Sequence, residues 1–195
     1  MNYGELRSQF LELLNRTDCT DTLADAFISM GLRRVERLLR TPLQRTTFST
    51  TIGATWDATL AIPSDYIGLH EIRVDDVPIR RIAANQQDLL SGFWLEGFDF
   101  KFTDGLSQGQ VISVTYYSEF AQGVLDSVTT TYSLVLNDVI IYAALFYAGD
   151  HFIDARKDAW GSTMKELVAE VQLMADMDEV AGGGLVMTPY GGGLV

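Results

Sequence analysis

The spacing of apolar side chains divides the chain into segments of two kinds. At the N-terminal end they recur every three or four residues, which is the period of an amphipathic α-helix. This pattern predicts one helix over residues 2–15 and a second that follows the turn at 17–21 and stops before Pro42. Their apolar positions are Leu6, Phe10, Leu13 and Leu14 in the first helix, and Leu23, Phe27, Ile28, Leu32, Val35, Leu38 and Leu39 in the second.

Helical periodicity returns at about Ser133, so both ends of the chain are predicted to be helical. The segment from Leu134 to Tyr147 is apolar on nearly every side, which is typical of a helix buried among others. A last helix, near Arg156–Met177, is amphipathic. Its apolar side comprises Trp160, Met164, Leu167, Val168, Val171 and Met174.

The middle of the chain has a different pattern. From Arg45, short runs of β-branched and aromatic residues alternate with clusters of Pro, Gly, Asp and Ser, as in strands joined by tight turns. Strands are predicted at 46–52, 58–62, 69–74, 79–82, 93–95, 98–102 and 111–117, with one helical turn at 84–90. Many short strands with regular turns favour a small antiparallel sandwich or barrel.

These elements predict an α+β fold with three parts. Residues 1–44 and 133–179 form a helical bundle, and residues 45–132 form a β module inserted between its two halves. Residues 180–195 follow the last charged residue and contain the sequence GGGLV twice. A free glycine-rich terminus is costly to order by itself. We therefore predict that this segment is an extended arm that becomes ordered when it docks on another chain. Its apolar anchors are Leu185, Val186, Met187, Tyr190, Leu194 and Val195.

Composition restricts the function. The 195 residues include 14 Lys and Arg against 26 Asp and Glu, a formal net charge of −12, which repels nucleic-acid phosphates. The lone cysteine, Cys19, excludes an internal disulfide and a thiolate metal site. No signal-peptide pattern opens the chain, and the longest apolar run, 139–149, is shorter than the ~20 residues that span a bilayer. We therefore expect synthesis in a reducing cytoplasm, without a membrane step.

Residues suited to catalysis are sparse. His70 lies in a predicted strand and His151 near a helix end, and no nucleophile-elbow, zinc-protease or phosphate-loop motif is present. Asp150, Asp154 and Asp158 share one face if a single helix runs through them, and a hard cation uses such ligands. A solvated acidic stripe is the more ordinary interpretation. We therefore expect no enzyme, cofactor or metal, with a cation-dependent hydrolase as a weaker alternative.

One basic cluster interrupts the acidic sequence. It consists of Arg33, Arg34, Arg37 and Arg40 on the second helix. Aromatic neighbours and net positive charge, which a nucleic-acid site requires, do not accompany it. The cluster is interpreted either as ordinary surface arginine or as a subunit interface that faces carboxylates of a neighbouring chain, such as the three aspartates above.

Aromatic residues concentrate in the predicted β module. They are Phe93, Trp94, Phe98, Phe100, Phe102, Tyr116 and Tyr117. A carbohydrate-binding or other non-catalytic β module attached to a helical bundle is the alternative function that they suggest. Their alternation along the strands is more typical of the core of a sheet.

Four stretches, taken in order, carry a family likeness. They are Tyr3-Gly4-Glu5-Leu6 to Leu14-Asn15-Arg16-Thr17, the arginine helix GLRRVERLLRTP, the stretch IPSDYIGLHEIRVDDVPIRRIAANQQDL, and VTYYSEF followed by the helix LNDVIIYAALFYAGDHF. Over nearly its whole length the chain resembles the head-to-tail adaptor proteins of tailed bacteriophages.

This resemblance implies a structural protein of the virion, located at the head–tail interface and assembled in the host cytoplasm. It implies a ring, commonly of twelve copies, that docks beneath the portal and continues the DNA channel. Tail tube or nozzle components, or tail fibres in short-tailed phages, would attach to the ring, and duplex DNA would pass through without specific binding. The C-terminal arm matches no pattern of the family, so its role in portal docking is predicted from composition alone.

Overall fold

The computed structural model of the chain describes residues 1–86, 90–103, 105–120, 127, 129–130 and 135–182, with side chains described up to residue 177. Within these residues, helices lie at both ends and strands between them. The helices are α1 (Tyr3–Leu14), α2 (Asp21–Leu38), α3 (Asn137–His151) and α4 (Lys157–Gly182). The strands are β1 (Arg45–Thr51), β2 (Thr59–Ala61), β3 (Tyr66–Val74), β4 (Val77–Ile79), β5 (Phe93–Glu96), β6 (Asp99–Phe102) and β7 (Val111–Ser118). This mixture of helix and antiparallel sheet agrees with the predicted α+β class.

Side-chain caps set the first residues of the N-terminal helices. At α1, the Asn2 carboxamide oxygen accepts a hydrogen bond from the Glu5 backbone N–H at 2.8 Å, and the Glu5 carboxylate accepts one from the Asn2 N–H at 2.9 Å. This reciprocal capping box satisfies two amides that have no partner inside the helix. At α2, the Thr20 hydroxyl accepts from the Leu23 N–H at 3.3 Å. The turn predicted at 17–21 thus supplies the N-cap of the second helix, as expected.

Helix α3 is buried over most of its circumference, as predicted, and only the side of Tyr142 and Phe146 is partly exposed. It contacts α1, α2 and α4, and its buried residues are Val139, Ile140, Ile141, Ala143, Ala144, Leu145, Ala148 and Gly149. Contact with α2 is closest at Gly31, where a Cβ atom would lie 2.7 Å from the Ala144 backbone nitrogen. Only glycine allows the two backbones to approach so closely. One hydrophobic cluster unites side chains from all four helices.

The strands form two open antiparallel sheets. One has the order β1-β7-β3-β4 and the other the order β2-β6-β5, and side chains from both sheets share a second hydrophobic cluster. An isolated parallel bridge joins Arg81, just after β4, to Phe93 of β5, but β1 and β2 do not pair with each other. The barrel alternative is therefore wrong, because among the described residues the edge strands β1 and β2 have no strand partner on their outer sides. The sandwich and bundle descriptions, and the domain boundaries, remain predictions.

Three apolar positions expected in the core are exposed: Leu13, Leu38 and Met174. Each is at the margin of, or opposite to, the stripe that its helix buries; in α1, for example, the fully buried residues are Leu6, Phe10 and Leu14. Strand β4 also starts earlier than predicted. Asp75 and Asp76, both at positive φ, make the two-residue turn from β3, so that pairing resumes at Val77. Of the helical turn predicted at 84–90, residues 84–86 form a 3-10 turn, and 87–89 lie outside the described residues.

The close approach at Gly31 gives a first prediction. Gly31→Ala is expected to lower the free energy of unfolding by about 1–3 kcal/mol, because the new methyl group overlaps the α3 backbone. Alanine's higher helix propensity acts in the opposite direction and is outweighed. Urea unfolding followed by circular dichroism measures the change.

Gly53→Ala is the matched control, since a Cβ there meets nothing within 4 Å. Its expected effect is within about 0.5 kcal/mol. Equal unfolding midpoints for the two variants would contradict the α2–α3 contact described above.

Candidate assembly surfaces

The acidic stripe predicted across residues 150–158 does not exist as one helical face. Helix α3 ends at His151, and Ile153 adopts a left-handed conformation with φ of 54°. The Asp154 N–H then donates to the Gly149 carbonyl at 2.9 Å, which closes the helix end. No group of three His, Cys, Asp or Glu within the described part of the chain is placed to hold a metal ion. The shared cation-binding face is therefore wrong, because the chain turns between its members.

Two of the three aspartates have partners inside the chain. The Asp154 carboxylate accepts hydrogen bonds from the Arg156 guanidinium, the shortest at 2.7 Å, and these lower the pKa of Asp154 to about 2. The Asp150 carboxylate accepts from the Lys157 ammonium at 2.6 Å. Asp158 is exposed. Both short pairs hold the α3–α4 corner, so among the described residues Asp158 is the member of the set whose carboxylate has no ion-pair partner.

The arginine cluster divides into two inward and two outward members. The Arg34 guanidinium lies 4.9 Å from the Phe146 ring centroid on α3, a cation–π contact that leaves it half-buried. Arg40 donates to the carbonyl oxygens of Leu39 at 2.6 Å and of Glu36 at 3.2 Å, at the C-terminal end of α2. Arg33 and Arg37 are exposed. Only these two present their charge outward.

A network of buried hydrogen bonds joins the helical part to the strands. The Glu36 side chain is 4% exposed, and its carboxylate accepts the Phe120 backbone N–H at 2.8 Å, just after β7. The side-chain amide of buried Gln44 donates to the backbone carbonyl of Glu36 at 3.1 Å. The backbone carbonyl of Gln44 accepts from the Ser118 hydroxyl at 3.2 Å. Helix α2, the start of β1 and the end of β7 are thereby held at one point.

Helix α4 is tied to the same place through Gln172. Its side-chain oxygen accepts from the Arg40 N–H at 2.8 Å, and its amide nitrogen donates to the Arg40 carbonyl at 3.2 Å. Sequence reasoning missed Glu36, Gln44 and Gln172. A charged residue one turn after Leu32, within the apolar period of α2, was the available signal for Glu36. The two glutamines gave none, because an isolated polar residue does not reveal that it is buried, and the partner of Gln172 is 132 residues away in sequence.

The aromatic residues of the β segment are mostly core residues. Phe93, Phe100, Phe102, Tyr116 and Tyr117 are buried. Trp94 is half-buried, and its indole N–H donates to the Glu96 carboxylate at 3.3 Å. Only Phe98, at the turn between β5 and β6, is largely exposed, at 88%. One exposed ring does not make a carbohydrate platform, so the sheet-core interpretation holds for this set.

The predicted docking anchors at 185–187, 190 and 194–195 lie outside the described residues. Among the described residues, no helix combines the length and the apolar character that crossing a bilayer requires.

Comparison with known proteins gives one family. A family model described as SU10 adaptor protein matches residues 1–187, almost the whole chain. No curated protein matches.

The buried carboxyl of Glu36 gives a prediction about pH. Burial, which removes water from the charged form, raises the pKa of Glu36 above its ordinary value of 4.5. A carboxyl with a raised pKa favours the folded state below the unfolded value, and this contribution is lost as pH rises through the folded pKa. Glutamine keeps an oxygen for the Phe120 N–H and does not titrate. The free energy of unfolding of Glu36→Gln, taken relative to that of wild type, is therefore expected to increase as the pH rises from about 4 to about 7.

Urea unfolding of both proteins at the two pH values measures this difference. Glu36→Ala, which removes the acceptor altogether, is the control and is expected to lose about 1–3 kcal/mol. If the difference between the glutamine variant and wild type does not change with pH, Glu36 does not titrate as its burial requires.

Proposed function

The chain belongs to the SU10 adaptor protein family of phage structural proteins, and we propose on this basis that it forms a ring between the portal and the tail. The ring, commonly of twelve copies, continues the DNA channel and carries tail tube or nozzle components, or tail fibres in a short-tailed phage. It assembles in the host cytoplasm and remains at the head–tail interface of the virion. The observation that carries the proposal is the family match over residues 1–187.

Three features of the chain support a structural role. Two separate hydrophobic clusters are connected by buried hydrogen bonds, which suits a subunit that transmits contacts between different neighbours. Arg33 and Arg37, from the predicted interface set, present charge outward, as does Asp158. The predicted C-terminal arm, whose residues 180–182 form the end of α4, carries no charge and six apolar anchors. We propose that its apolar anchors dock on the portal.

Imaging of the chain mixed with the portal of the same phage tests the proposal. We expect a ring on one face of the portal in electron micrographs. A chain that ends after Gly182, the last helical residue, is expected to remain folded and to lose portal binding. Each buried anchor contributes about 1.5–3 kcal/mol before ordering costs, and a ring multiplies the effect of the arms through avidity.

A chain whose residues 183–195 are replaced by a Gly-Ser sequence of equal length is the control, since it keeps the length and removes the anchors. Both altered chains should show the same circular dichroism as wild type. If the shortened chain still co-purifies with the portal at the wild-type level, the helical part is the anchor and the arm is not.

Passage of DNA without adhesion gives a further prediction. With a net charge of −12, the protein neutralises few phosphates and releases few counterions, so its affinity for duplex DNA is expected to be very low. An electrophoretic mobility shift at physiological salt should detect no complex. Tight binding under these conditions would contradict a channel through which DNA slides.

A further inference from the structure

Helix α2 has an outward face that combines apolar and basic side chains. Met30, Arg33 and Arg37 recur at intervals of three and four residues, so they lie on one side of the helix, and the exposed Leu38 follows Arg37 at the helix end. The opposite side carries the buried Ile28, Leu32 and Val35. Met30 is 46% exposed and Leu38 is 48% exposed, and no ion pair among the described residues involves either arginine. We call this surface the basic face.

Helix α4 has an outward face of the opposite charge. Glu166, Glu170, Leu173, Met174 and Met177 lie together on the side that is opposite to the buried Met164 and Ala175. Leu173, Met174 and Met177 are each 60–67% exposed. Three large apolar side chains within two turns of one exposed helix side are unusual for a surface that stays in water. We call this surface the acidic face.

We propose that the basic face of one copy of the chain binds the acidic face of the next. The methionine and leucine side chains then bury one another, and the arginines oppose the glutamates. The inference rests on the proposed ring and names the surfaces that form it. It also replaces Asp150 and Asp154 as partners of the arginines, because those carboxylates are already paired with Lys157 and Arg156.

The opposite charges of the two faces on one chain point to a second copy in this orientation as the occupant. Two copies with a charge of −12 each repel one another, so a contact between them needs a basic patch on at least one side. Pairing of two basic faces would oppose arginine with arginine, and pairing of two acidic faces would oppose glutamate with glutamate. The contact must therefore join unlike faces. Such a heterologous contact repeats from copy to copy and closes into a ring when the rotation allows.

A charge-swap experiment tests the pairing. The first variant carries Arg33→Glu and Arg37→Glu, and the second carries Glu166→Arg and Glu170→Arg. Alone, each variant opposes like charges at every contact, and its self-association is expected to weaken at least about tenfold. Mixed in equal amounts, the variants restore opposite charges at contacts between unlike chains. The mixture is expected to associate as the wild type does in sedimentation velocity experiments over a range of concentrations.

The control for the first variant is Arg80→Glu with Arg81→Glu, which makes the same change in net charge on an exposed part of the β segment. It is expected to associate like wild type. The second variant makes the net negative charge of the chain smaller, which lowers the general repulsion between copies. A loss of association in this variant therefore comes from the change on the acidic face and not from net charge. Circular dichroism spectra equal to wild type show that the exposed substitutions leave the fold intact.

Two results would overturn the pairing. One is a mixture that remains as dissociated as its separate components. The other is a wild-type chain that stays monomeric throughout the concentration range. Neither bears on the portal experiment, which is read by imaging: a ring seen on the portal together with a failed charge swap would keep the proposed function and place the subunit contact elsewhere.

Discussion

The lack of a polar side on helix α3 is the constraint on which the rest of the structure depends. A helix with apolar residues all round must be covered by neighbours, and α1, α2 and α4 supply that cover. Since α1 and α2 precede the strands and α4 follows α3, burial of α3 brings the two ends of the chain together. The close approach at Gly31 makes this packing specific, because a larger residue there would separate the helices.

The meeting of helices and strands depends on polar atoms as well as on apolar contact, since Phe120, just after β7, is part of the helical hydrophobic cluster. Glu36, Gln44 and Gln172 use side-chain groups to bind backbone amides and carbonyls of other segments, which for Glu36 and Gln172 are distant in sequence. Buried hydrogen bonds are directional, so they fix an orientation that a second apolar surface would leave adjustable. Leaving any of these backbone groups unpaired is costly, which makes the junction sensitive to single substitutions.

Much of this architecture follows from sequence periodicity, and the part that does not has definite physical reasons. Helices and strands with a clear period, such as α2 and β7, lie close to their predicted bounds. Periodicity does not reveal how much of a helix its neighbours cover, so the exposure of Leu38 was missed. Neither Gly nor Pro marks the α3–α4 corner, where Ile153 takes the left-handed conformation that glycine usually adopts.

The surface was predicted in part: all four arginines were recognised as a cluster, but the rings and carbonyls that engage Arg34 and Arg40 come from the fold. The family itself was recognised from resemblance and confirmed by the family match.

The pairing of Arg45 with Tyr117 has a consequence for how such a chain can vary. These residues lie at the first position of β1 and near the end of β7, and they are partners across the two strands. The first and last strands of the β segment therefore begin and end about one strand spacing apart, ~5 Å. A change in the length or content of the intervening strands leaves the spacing of these two points unaltered. We therefore expect insertions at the turns between the strands to be tolerated without a change in the helical part.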